Sequence, residues 1–233
     1  MRVFVIPDIH LKPQMLFTAD DLIDKGHFDQ LVFLGDFVDD WDADHNTALY
    51  NETFDEICGF VRKHPNSLIC LGNHDLSYVW GCPESGFSYM MRDTVVARLK
   101  ELRKLLPPQN SAFIHRIDKV LFSHAGLTRK FVMDHFAYDT DSSIDHIVES
   151  INRMGEEELW NDDSPLWARP QIEEIAMYPR EYLQVVGHTP VPTASEKDKV
   201  LSLDVFSTKR DGTPIGDERF VCVDTETQEW NRV

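Results

Sequence analysis

Five times along this chain a short apolar run stops at a residue able to bind a metal ion. Residues 3–6 lead into Asp8 and His10, and residues 31–34 into Gly35 and Asp36. Residues 68–71 lead into Gly72, Asn73 and His74, residues 120–122 into Ser123 and His124, and residues 185–186 into Gly187 and His188. Runs rich in β-branched and aromatic residues and bounded by turn residues predict buried strands. Helical spacing lies between them: Phe54, Ile57 and Val61 make one apolar face, and Val95, Leu99, Leu102 and Leu106 a second. Ile144, Ile147 or Val148, and Ile151 make a third. This alternation predicts an α/β sheet covered by helices. Ligands of such sheets gather beyond the carboxyl ends of the strands, so five polar loops are expected to converge on one edge. Residues 201–206 and 220–223 also read as strands. The stretch between them is rich in Gly, Pro and Asp, which predicts a closing hairpin that extends the sheet.

The chain has 233 residues, enough to bury a core as a single domain over 1–233. Its formal net charge of −17 disfavours nucleic acid and anionic membrane as partners. Bound cations would create a local exception. Cys58, Cys70, Cys82 and Cys222 form no paired motif, and three of them have apolar neighbours, so buried thiols in a reducing compartment are expected. The apolar run after Met1 is too short for a signal peptide, and no stretch approaches membrane-spanning length. A soluble, cytoplasmic protein is the expectation.

Taken in order, Asp8-x-His10, Gly35-Asp36-Phe37-Val38-Asp39, Gly72-Asn73-His74-Asp75, Ser123-His124-Ala125-Gly126 and Gly187-His188-Thr189 resemble the calcineurin-like metallophosphoesterase superfamily. The resemblance runs from residue 3 to about residue 190. It implies a four-layer α/β/β/α sandwich of two mixed sheets, and a phosphoester hydrolase that uses two divalent ions. Asp8, His10 and Asp36 would hold the first ion. Asn73, His124 and His188 would hold the second, with Asp36 bridging. Mixed imidazole, carboxylate and amide ligands suit Mn²⁺, with Fe or Zn²⁺ as alternatives. A pair of such ions roughly 3.5–4 Å apart can bind both oxygens of an in-line displacement. The likeness also makes His74 the general acid, Asp39 the carboxylate that orients its ring, and Asn73 a contact to phosphate as well as a metal ligand.

Within the superfamily the nearest likeness is to the phosphoprotein (Ser/Thr) phosphatases of the bacteriophage lambda type. Those continue the second motif as Gly-Asp-x-x-Asp-Arg-Gly, whose arginine grips phosphate. Here Asp40 takes that place, and an anion cannot replace a forked cation. The segment Pro165-Leu166-Trp167-Ala168-Arg169-Pro170 looks like the one that carries a second arginine, which makes Arg169 a candidate phosphate clamp. Nuclease-like members end in Gly-His-x-His and add a histidine to the first metal; Pro190 stands at that position here. The expected activity is therefore phosphomonoester hydrolysis, with phosphoserine or phosphothreonine in protein among the candidate substrates. A hydrolase of dinucleoside polyphosphates, nucleotides or phosphodiesters is the alternative, with Trp41, Trp80 or Trp167 as a base platform. A non-catalytic scaffold is a third reading. Residues 80–106 could cover the site as a lid or pack beside it.

Overall fold

The computed structural model describes residues 1–137 and 143–233. The chain opens with β1 (Arg2–Ile6), α1 (Gln14–Lys25), β2 (Gln30–Phe33), α2 (Thr47–Lys63) and β3 (Leu68–Cys70). It continues through α3 (Asn73–Trp80), α4 (Arg92–Lys104), β4 (Ser111–Ala112), β5 (Ile114–Ile117) and β6 (Val120–Ser123). Helices α5 (Arg129–Phe136), α6 (Ile144–Ile151) and α7 (Glu156–Leu159) follow. The last strands are β7 (Leu183–Val186), β8 (Ser195–Lys197), β9 (Val200–Ser202), β10 (Val221–Asp224) and β11 (Trp230–Arg232).

Two mixed sheets result, ordered β11-β10-β1-β2-β3-β4 and β5-β6-β7-β9-β8. Side chains alternate across a strand, so each sheet has two apolar faces to bury. Val3, Val5, Val32 and Leu34 of the first sheet meet Val120, Phe122, Val185 and Leu201 of the second, and form the core between the sheets. Phe4, Ile6, Leu31 and Phe33 point the other way, to Leu16 and Ala19 of α1 and Phe54, Ile57 and Val61 of α2. On the second sheet Ile114 and Leu121 turn outward, in the same cluster as Phe131 of α5 and Ile147 of α6. The layering is thus α/β/β/α. A one-residue slip of β1 would drive Phe4 into the space between the sheets, so the register is held by packing on both faces.

The expected terminal hairpin does not form. β9 lies parallel to β7 in the second sheet, whereas β10 pairs antiparallel with β1 in the first. Each finds its own hairpin partner, β8 for β9 and β11 for β10. Both segments are apolar enough for either sheet, and the long polar stretch between them lets the chain cross from one to the other. The convergence of loops is likewise shared between two sheets: β1, β2 and β3 contribute from one, and β6 and β7 from the other. Helices α3 and α4 pack beside the first sheet, with Val95, Leu99 and Leu102 in the core. Residues 80–106 therefore pack alongside, and only the turn at Ser85 and Gly86 reaches the cleft described below.

No helix among the described residues is long and apolar enough to cross a membrane.

Candidate metal centre

Beyond the ends of β1, β2, β3, β6 and β7 the polar residues converge at the base of a cleft of about 270 Å³. Two groups of ligand atoms lie within 4.8 Å of one another: Asp8, His10 and Asp36, and Asp36, His124 and His188. Asp36 belongs to both. Its Oδ2 is 3.7 Å from His10 Nε2 and 3.2 Å from His124 Nε2, between the two groups. Asn73, the first residue of α3, brings its Oδ1 to 2.9 Å from His124 Nε2.

Several of these residues sit in backbone conformations that non-glycine residues rarely adopt. The φ angles of His10, Asp36 and His188 are 43°, 48° and 63°. Such strain persists only where surrounding contacts hold it. His10 N donates to the Asp36 carbonyl at 2.9 Å, and His188 N donates to Asp8 Oδ1 at 2.9 Å. The glycines before these residues make room for neighbouring carboxylates: a Cβ on Gly187 would overlap Asp8 Oδ2, and one on Gly72 would overlap Asp36 Oδ1. Asp75 ties the second and third loops together by accepting from Phe37 N at 2.9 Å and Gly72 N at 3.0 Å.

The tautomers leave lone pairs aimed inward. His10 Nδ1 donates to the Asp39 carbonyl at 2.8 Å, and His124 Nδ1 to the Leu34 carbonyl at 2.9 Å. A carbonyl can only accept, so Nε2 of each neutral ring keeps its lone pair. His124 Nε2 then faces Asp36 Oδ2, Asn73 Oδ1 and His188 Nδ1, the last at 3.1 Å. Electron-rich atoms this close need a cation among them. In the metal-free protein a proton serves. Burial opposes a charged His124 ring, but the Asp36 carboxylate overrides it and pushes the ring up to about 9. Burial also works against the charge on Asp36, yet His124 and His74 hold its carboxyl well below the usual range. Burial lifts Asp8 well above that range, and Asp204 adds to the rise. Asp8 Oδ2 and His188 Nε2 are buried without a hydrogen-bond partner. Unpartnered buried oxygens and nitrogens of this kind fit a divalent ion.

His74 stands beside the two groups at the second position of α3, with its Nδ1 3.0 Å from Asp39 Oδ2. The other Asp39 oxygen accepts from Tyr50 OH at 2.8 Å and from Tyr78 OH, so the carboxylate is fixed on three sides. Burial disfavours the charged His74 ring, but Asp36 and the Asp39 hydrogen bond push it up to about 9. Arg169 lines the cleft, its guanidinium 3.2 Å from Thr189 Oγ1. Of the three tryptophans named as base platforms, only Trp41 lines the cleft, 52% exposed and donating from Nε1 to the Thr208 carbonyl at 2.8 Å. Trp80 packs against Phe113 and Trp160, and Trp167 against Trp160 with its ring edge toward His188.

Asp8, His10, Asp36, Asp39, Asn73, His74, His124, Arg169 and His188 thus lie at this cleft or directly beneath it, whereas Trp80 and Trp167 do not line it. Three features were not anticipated. Lys12 lines the cleft and reaches Asp40 at 3.0 Å. Tyr50 of α2 and Tyr78 of α3, both fully buried, hold Asp39 through their hydroxyls. Asp204, just past β9, lines the cleft although it is only 1% exposed. A signal for it exists: Val200, Leu201 and Leu203, with Ser202 among them, lead into an acid as the other strands lead into their ligands.

Comparison with known proteins bears on the fold and the family. No curated protein matches the chain significantly. Among solved structures, a protein serine/threonine phosphatase from Saccharomyces cerevisiae superposes with a TM-score of 0.54 at 15% identity, over 96% of this chain and 72% of the other. A phosphoesterase from E. coli is similar at a TM-score of 0.45 and 14% identity, over 100% and 98% of the two chains. At 15% identity the likeness to the yeast phosphatase is one of fold. The sequence profile of the calcineurin-like phosphoesterases matches residues 1–212, nearly the whole chain. The protein belongs to the calcineurin-like phosphoesterase family and is a hydrolase of phosphate ester bonds.

Proposed function

We propose that this protein hydrolyses phosphomonoesters with the help of two divalent ions, Mn²⁺ foremost, and that its substrate is a phosphorylated small molecule, nucleotide or protein. Asp8, His10 and Asp36 would hold one ion, and Asp36, Asn73, His124 and His188 the other. The single observation that carries the reading is the shared carboxylate: Asp36 Oδ2 lies between His10 and His124, one histidine from each group. Ions bound there supply Lewis acidity toward a phosphoryl oxygen and lower the pKa of the attacking water.

The chain's own side chains do the rest. Arg169 projects into the cleft as the forked donor that matches two phosphoryl oxygens. The Asn73 amide nitrogen can donate to a third. His74 gives its Nδ1 proton to the hydrogen bond with Asp39, which leaves Nε2 to protonate the departing oxygen. Asp39, held by Tyr50 and Tyr78, keeps that ring in place and stabilises its charge.

The test is turnover by metal-free protein on p-nitrophenyl phosphate and on bis-p-nitrophenyl phosphate after addition of Mn²⁺, with an Asp36→Asn control. Mn²⁺-dependent turnover of the monoester is expected. No turnover with metal bound would defeat the reading, and preference for the diester would change the substrate class.

Trp41 favours one second reading, hydrolysis of a dinucleoside polyphosphate, because an exposed indole at the cleft mouth can stack on a base. Diadenosine tetraphosphate assayed beside a phosphopeptide separates the two.

A further inference from the structure

We propose that Asp204 is an additional carboxylate ligand of the first metal site, beside Asp8, His10 and Asp36. This deepens the two-ion reading and rests on it.

Four observations carry it. β9 runs parallel to β7, so its carboxyl end opens at the same edge as the strand that delivers His188, and Asp204 follows that end by two residues. The backbone fixes it there: Leu203 N donates to the Val186 carbonyl, and Val191 N to the Asp204 carbonyl, both at 2.8 Å. The side chain is 1% exposed, and neither carboxylate oxygen has a hydrogen-bond partner within bonding geometry, the Ser207 hydroxyl being a polar group near enough to favour its charge. It lines the cleft with His10 and Asp36 and lies close enough to Asp8 to repel its charge.

Burying Asp204 and the second oxygen of Asp8 without donors is costly, and a purely structural Asp204 would be expected to carry backbone donors on its side chain, as Asp75 does. A divalent ion is the partner that satisfies both Asp8 and Asp204 at once. The need for such a ligand is visible in the chain. Pro190, which lines the same cleft, offers no donor atom, and Asp204 is anchored to the next residue, Val191. Three carboxylates and one imidazole make the first site harder than the second, which has two imidazoles, an amide oxygen and the shared carboxylate. Oxygen-preferring ions such as Mn²⁺ or Mg²⁺ are its class.

The experiment measures metal binding, without reference to turnover. Wild type, Asp204→Asn, Asp204→Ser and Asn73→Ala are stripped of metal, titrated calorimetrically with Mn²⁺, and analysed for bound metal after desalting. Wild type is expected to hold two ions. Asp204→Asn, which keeps the side chain's size and removes its charge, should weaken one binding step by about tenfold or more and lose that ion on desalting. Asn73→Ala should lose the other, and the Asp204/Asn73 double variant should retain neither. Asp204→Ser provides the same measurement if the asparagine variant does not fold. Two ions bound as tightly in either Asp204 variant as in wild type would overturn the assignment while leaving the two-ion reading intact. Fewer than two ions in wild type would overturn that reading itself.

Discussion

Lys12 Nζ lies 3.0 Å from the Asp40 carboxylate at the cleft wall, with the two side chains 12% and 24% exposed. By resemblance Asp40 stands where lambda-type phosphatases would carry a phosphate-gripping arginine, and the cation beside it, Lys12 from the loop after β1, is neutralised by it. The ion pair holds Lys12 within reach of the cleft but competes with phosphate for it. Asp40→Asn should therefore release the ammonium and lower KM for a dianionic monoester by about threefold to tenfold, the size of one ordinary net hydrogen bond. Steady-state kinetics at low salt read the change. An unchanged or higher KM would make the pair a structural tie without a role in binding.

Among the described residues Arg169 pairs with no carboxylate, and its guanidinium donates to the Thr189 hydroxyl at 3.2 Å. Its guanidinium is thus free for an anionic substrate. Arg169→Ala is expected to reduce kcat/KM by about 10²-fold, and Arg169→Lys to recover only part of the loss because the ammonium lacks the planar fork. Full recovery by lysine would show that charge alone matters there.

The proton that His74 donates should matter most for a poor leaving group. His74→Ala is expected to cost about 10²–10⁴-fold in kcat on an alkyl phosphate and far less on p-nitrophenyl phosphate, whose leaving group needs no proton. A general acid must be protonated, so the rate on the alkyl ester should fall as pH rises through the pKa of the ring. That value is pushed up to about 9 in the metal-free protein by Asp36 and Asp39 against the effect of burial. Cations bound beside the ring repel its proton and move this alkaline limb to lower pH. The limb should vanish in the variant. Equal losses on both esters would reassign His74 to phosphate binding.

The five ligand-bearing motifs were legible because each follows a strand whose apolar run is short and buried on both faces. β1 and β7 show the pattern in nearly bare form, with four buried residues each before Asp8 and His188. Asp204 escaped the same reading because residues 201–206 look like one unbroken strand, whereas β9 ends at Ser202 and the chain turns away beyond it. Periodicity does not reveal a strand end placed inside an apolar run. Tyr50 and Tyr78 escaped for a related reason. A fully buried aromatic at a helix's core position has the same sequence signature whether or not its hydroxyl carries a hydrogen bond, and both of these bind Asp39. Lys12 required tertiary information, since its partner lies 28 residues away in the chain.

His115 offers a prediction about stability remote from the metal centre. Its ring is buried, with Nε2 3.0 Å from the Ile69 carbonyl, and burial pushes it down to about 4. Between that value and its ordinary pKa the unfolded chain binds a proton that the folded chain refuses. The associated stability is present in full above about pH 6.5 and is lost as pH falls toward 4, for a total of about 3 kcal/mol. His115→Gln removes this titration. Urea unfolding at pH 7 and pH 5 should show a smaller acid loss in the variant than in wild type. Parallel losses would mean that the ring is protonated in the fold.

Because Asp36 belongs to both ligand groups, its loss should act differently from the loss of any other ligand. Metal that binds only the folded chain stabilises it by about 2.7 kcal/mol per site at a hundred times the dissociation constant. For a chain of this length each kcal/mol raises Tm by about 2–4 °C. Mn²⁺ added to stripped wild type should therefore raise Tm by about 10–20 °C if both sites fill. Asn73→Ala should keep roughly half of that response, since the first group does not depend on it. Asp36→Asn should keep almost none, because a neutral amide cannot hold two dications together. Thermal unfolding with and without Mn²⁺ decides the matter. A response in Asp36→Asn equal to that of Asn73→Ala would mean that the carboxylate serves one ion only, and that the two groups are independent.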